Sequence, residues 1–163
     1  MDSMVSIVAS YKESAVKGME GFLKTFSFVP DDKLTWTPTP TAKSAIRIAA
    51  HTALFAGNFA KMIRERKVPQ KDELPEFFAR MSATETAITS HTEMERIFRK
   101  NTEEVLAALD TLTPEDMEIT LDSGLGWTMP MSFLLSLPGN HAISHEAQID
   151  YLQTCWDDQV VHF

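Results

Sequence analysis

Four long stretches of this chain repeat apolar residues every three or four positions, and no run of alternating strand character separates them. Within residues 2–26, Ile7, Tyr11, Ala15, Met19, Phe22 and Phe26 keep that spacing, which stacks them on one face of an α-helix. The second stretch covers residues 41–66 with Ile48, His51 or Thr52, Phe55, Phe59 and Met62 on the buried stripe, and Thr41 is expected to cap it. The third covers residues 82–109, with Ile88, His91, Glu95, Phe98, Val105 and Leu109 near one face. The fourth covers residues 128–156, and Pro138-Gly139 is expected to kink or break it, because proline removes one helical hydrogen bond.

Between these stretches the chain reads as loop. Residues 28–40 hold three prolines, and a short extra turn is expected at Pro75-Glu76-Phe77-Phe78. Residues 117–127 read as an extended connection rather than a sheet. Four amphipathic helices joined by loops predict an all-α, four-helix bundle filling one domain over residues 1–163.

Charge and cysteine content narrow the function classes. Fifteen Lys and Arg against 23 Asp and Glu give a net charge of −8, a poor match to a phosphate backbone, so no nucleic-acid partner is expected. No apolar run reaches the length of a membrane span, and no membrane partner is expected. Cys155 is the single cysteine, which excludes an intrachain disulfide and a multi-cysteine metal site, and together with the lack of a signal-like start predicts a cytoplasmic protein. With 6 glycines and no glycine-rich phosphate loop, the common nucleotide-binding motifs are absent.

The histidines carry the chemistry. His141 and His145 stand one helical turn apart on the same face, where two imidazoles can converge on one cation. The alternative is a chance pair on a helix surface. His51 lies on the apolar stripe of the second helix, and a lone histidine there is more often a hydrogen-bonded core residue. In a bundle, however, metal sites are built from inward side chains on facing helices, and a third imidazole would complete a three-histidine set.

Other polar residues read more simply. His91 is expected to be a core or rim histidine, and Glu146 to point about 100° around the helix from His145 into solvent. Gln148 stands three residues after His145, able to face the same cavity. Glu95 is the one acid expected near the histidines. Cys155 is expected to be a buried small hydrophobe, His162 to be exposed, and the basic run Lys61–Lys67 to be a solvated helix end.

Three blocks of the sequence resemble one family. They are Val29-Pro30-Asp31-Asp32-Lys33-Leu34-Thr35-Trp36-Thr37-Pro38, Ala45-Ile46-Arg47-Ile48-Ala49-Ala50-His51, and His141-Ala142-Ile143-Ser144-His145-Glu146-Ala147-Gln148-Ile149. In this order they are similar to the DinB/YfiT-like metalloprotein superfamily. The resemblance implies a bundle that binds a divalent ion (Ni, Zn or Fe) through His51, His141 and His145, commonly as a homodimer. It also implies, as one activity, activation of a low-molecular-weight thiol for S-transfer to a small-molecule substrate. A hydrolase using activated water and a non-catalytic metal-binding stress or interaction protein are the alternatives. Glu146-Ala147 departs from the family, where a small basic residue and glycine often precede the glutamine.

Overall fold

A computed structural model describes the backbone of residues 2–162 and the side chains of residues 4–162. It contains five α-helices and one short hairpin: α1 (Asp2–Ser27), α2 (Ala45–Glu65), α3 (Leu74–Ala87), α4 (His91–Leu109), β1 (Thr120–Asp122), β2 (Thr128–Pro130) and α5 (Met131–Cys155). Helices α1, α5, α2 and α4 pack in a ring, α1 on α5, α5 on α2, α2 on α4 and α4 on α1, which makes the expected four-helix bundle. Its core takes in much of the periodic apolar set, with Phe22, Phe26, Ile63, Met94, Val105, Leu109 and Ile149 sealed from solvent, while Ile7, expected on the buried face of α1, is exposed. Among the described residues, no helix is long and apolar enough to cross a membrane.

Several local expectations are corrected. The stretch read as one helix over residues 82–109 is two, because Ile88 turns to extended backbone and Ser90 starts α4 afresh, its Oγ accepting from the Glu93 N–H. The short turn expected at Pro75-Glu76-Phe77-Phe78 is the start of α3, with Pro75 in its first helical turn. Helix α2 starts after Ser44 rather than at Thr41, and neither residue supplies a side-chain cap. The connection after α4 does form a sheet, with Thr120, Leu121 and Asp122 paired antiparallel to Pro130, Met129 and Thr128. Leu121 and Met129 alone face inward, so three residues per strand give too little alternation to read.

Helix α5 runs unbroken through Pro138. The reason lies in its neighbour. A Cβ on Gly139 would sit 2.8 Å from the carbonyl oxygen of Ser14, and one on Gly18 would sit 2.9 Å from the carbonyl oxygen of Gly139. The Pro-Gly pair therefore marks the point where α1 and α5 cross backbone to backbone, and that packing sustains the helix across the missing hydrogen bond.

The basic run at the end of α2 is also more than a solvated terminus. Arg66 takes a left-handed conformation (φ 49°) and turns its guanidinium into the bundle end, donating to both carboxylate oxygens of Asp116 (3.0 and 2.6 Å) and to the Thr111 carbonyl (2.8 Å). This fork pins the turn after α4 and holds the Asp116 carboxyl at about 2, below its ordinary value.

Candidate metal centre

The register of α5 puts His141 and His145 on the face that meets α2, and the register of α2 turns His51 toward them. The ring centroids of His51 lie 5.2 Å from His141 and 5.0 Å from His145, while those of His141 and His145 are 4.4 Å apart. One ligand nitrogen from each ring lies within 4.8 Å of the other two. The three imidazoles named from the sequence are thus brought together.

Aromatic residues wall the cluster on the α2 side. Phe55 packs against both His51 (4.4 Å between centroids) and His141 (5.2 Å), Phe59 meets His141 edge-on at 5.3 Å, and Phe77 of α3 stands behind Phe55 at 5.9 Å. Burial in this surround pushes the His141 imidazole down to about 3, helped by the neighbouring rings of His145 and His51 and by Lys43. Burial lowers His51 and His145 as well, against the hydrogen bonds they donate to Glu85 and Gln148, which act in the opposite sense. These shifts favour the uncharged ring, the state in which imidazole offers a lone pair to a cation.

The hydrogen bonds sort the nitrogens. His145 Nδ1 is 2.7 Å from Gln148 Oε1, an acceptor, so Nδ1 carries the hydrogen and Nε2 of His145 keeps its lone pair. That Nε2 lies 3.1 Å from Nε2 of His141. Two nitrogens bound to one tetrahedral ion at about 2.0–2.1 Å stand roughly 3.3–3.4 Å apart, so the pair already has close to the separation that a shared cation needs. An all-nitrogen donor set of this kind suits zinc, nickel or iron better than the hard cations magnesium and calcium.

Sequence reasoning missed Glu85. This α3 carboxylate is only 4% exposed and places Oε1 2.8 Å from Nδ1 of His51. Arg47 donates to its Oε2 at 3.3 Å, and Lys43 stands 3.7 Å from the same oxygen. Its signal was the four-residue spacing Phe77, Met81, Glu85, which is visible only once α3 is recognised as a helix of its own.

The other polar residues lie elsewhere. Glu95 pairs with Arg99 (2.8 Å) on the outer face of α4. His91 sits near the end of α1, its Nε2–H donating to the Val29 carbonyl at 3.0 Å and its ring 4.6 Å from Phe26, so it does not join the cluster. Glu146 is half-buried rather than solvated, its Oε1 accepting from the Thr25 hydroxyl at 3.0 Å in the space left by Gly21. Cys155 is exposed, not buried. His162 is covered rather than free, stacked on Phe28 at 4.1 Å and 2.8 Å from Asp158.

Comparison with known proteins agrees with this architecture. The family model described as the DinB superfamily matches residues 17–149, more than half of the chain. The crystal structure of a DinB-like protein from Bacillus subtilis superposes with a TM-score of 0.56 at 21% sequence identity, covering 98% of this chain and 95% of that one. At that identity the likeness speaks for the fold. No curated protein matches the sequence.

Proposed function

From its place in the DinB superfamily, to which this chain belongs, we infer that it holds one divalent cation on His51, His141 and His145 and activates a small thiol for S-transfer. The observation that carries the reading is the meeting of three imidazoles, with a ligand nitrogen of each within 4.8 Å of the others. Three protein ligands leave coordination open, the arrangement of reactive rather than purely structural sites.

A divalent cation held by these three histidines would supply Lewis acidity that favours the thiolate form of a small thiol. The chain's own residues do the rest. Gln148 fixes the ring of His145, and Phe55, Phe59 and Phe77 keep bulk water from one side of the cluster. The thiol proton leaves to solvent, sulfur forms a bond to an electrophilic carbon of the second substrate, and the leaving group departs with the electron pair.

Water activation for hydrolysis is the second reading, and it calls for a carboxylate free to take a proton. Among the described residues the carboxylate at the cluster is Glu85, already engaged by His51, Arg47 and Lys43. That engagement favours the thiol. A homodimer belongs to the same proposal and is tested by light scattering.

Elemental analysis of the purified protein beside His51→Ala tests the site directly. Near-stoichiometric zinc, nickel or iron in the parent and its loss in the variant is the expected result. Metal retained in full by the variant overturns the ligand set. Turnover of small thiols with electrophilic acceptors then separates S-transfer from hydrolysis, and metal binding with neither activity supports the non-catalytic alternative.

A further inference from the structure

Helix α3 packs on α2 and buries three side chains at four-residue spacing. Phe77 stands against Phe55, and the Met81 sulfur accepts from Asn58 Nδ2 at 3.1 Å. The third is the Glu85 carboxylate. An apolar side chain at this register would dock α3 without desolvating a charge, so the carboxylate is costly unless it serves something.

Its partners indicate what it serves. Oε2 faces Arg47 and Lys43, while Oε1 is 2.8 Å from Nδ1 of His51. A carboxylate oxygen accepts, so at this distance the hydrogen between the two groups sits on Nδ1 of His51. Lys43 also comes within 3.5 Å of that nitrogen, but with Nδ1 protonated the ammonium has nothing there to donate to and serves the carboxylate instead. The Nε2 lone pair of His51 is then bare on the ring's other side.

We propose that Glu85 is the positioning residue of the metal centre: by holding His51 in its Nδ1–H tautomer and fixed ring orientation, it presents Nε2 of His51 to the cation. The proposal rests on the metal reading above and adds a residue on a different helix to it. Carboxylate–histidine–metal relays of this kind typically lose about 10- to 100-fold in metal affinity when the outer partner is removed.

Two readouts test it, on wild type, Glu85→Gln, Glu85→Leu and Arg47→Met. The first is the ¹⁵N NMR signature of the His51 ring in metal-free protein. Nδ1–H is expected in wild type, in Glu85→Gln, whose amide oxygen still accepts, and in Arg47→Met, which loosens the same α2–α3 contact without touching His51. It is expected to be lost in Glu85→Leu. The second is Zn²⁺ titration calorimetry, with Glu85→Leu weaker by about 10- to 100-fold and the other two variants within about threefold of wild type. A wild-type His51 protonated on Nε2 overturns the proposal without need of any variant. So does Zn²⁺ affinity in Glu85→Leu matching wild type, or an equal loss in Arg47→Met, which would reduce Glu85 to a docking contact. Wild type with the Nδ1–H tautomer that takes up no Zn²⁺ overturns the metal reading instead.

Discussion

Nε2 of His141 and Nε2 of His145 lie 3.1 Å apart, one turn from each other on α5. With the hydrogen of His145 on Nδ1, toward Gln148, the hydrogen between the two rings belongs to His141. The two rings therefore form an imidazole–imidazole hydrogen bond that a cation would replace.

Metal binding should be readable as stability. A ligand that binds only the folded state at 100 times its dissociation constant adds about 2.7 kcal/mol. For a chain of this size that corresponds to a rise of roughly 5–10 °C in melting temperature. Differential scanning fluorimetry with added Zn²⁺ or Ni²⁺ should show this rise in wild type and lose it in His51→Ala.

Glu95 and His91 offer the complementary control. Glu95 is paired with Arg99 and His91 sits by Val29, so Glu95→Gln and His91→Ala should bind Zn²⁺ as wild type does. A large loss of affinity in either would mean that α4 contributes to the centre.

Acid sensitivity should trace partly to the Arg66–Asp116 fork. The carboxyl titrates at about 2 when folded, below its ordinary value near 3.8, chiefly through the hydrogen bond to Arg66. Its contribution is thus fully present above about pH 4 and is lost as pH falls through 2. Asp116→Asn should cost about 1–2 kcal/mol near neutrality, and its stability curve should converge with wild type toward pH 2. Urea denaturation across that range measures the convergence.

The α1–α5 crossing should be intolerant of a single methyl. Gly139→Ala drives a Cβ toward the Ser14 backbone, and Gly18→Ala drives one toward the Gly139 carbonyl. Each should destabilise by about 1–3 kcal/mol, as overpacking does. The double variant should cost less than the sum, because both relieve the strain by separating the same two helices.

Loss of the α4 cap is a milder change. Ser90→Ala removes the hydroxyl that accepts from the Glu93 N–H and should cost about 1 kcal/mol, measurable by thermal denaturation.

Periodicity in the sequence is a local property, and it was enough to determine the four-helix bundle, most of the inward stripes of α1 and α2, and the one-turn spacing of His141 and His145. It also placed His51 on a buried stripe, because burial side follows from neighbours three and four residues away. What it left undecided depends on contacts between segments far apart in the chain. The break at Ile88–Ser90 carries no proline or glycine, the continuity of α5 through Pro138 needs α1 beside it, and Glu85 stands 34 residues from the imidazole it meets. The convergence of His51 on the α5 pair is of the same kind: helix spacing sets which way each ring points, but only the packing of α2 on α5 sets how far apart the rings are.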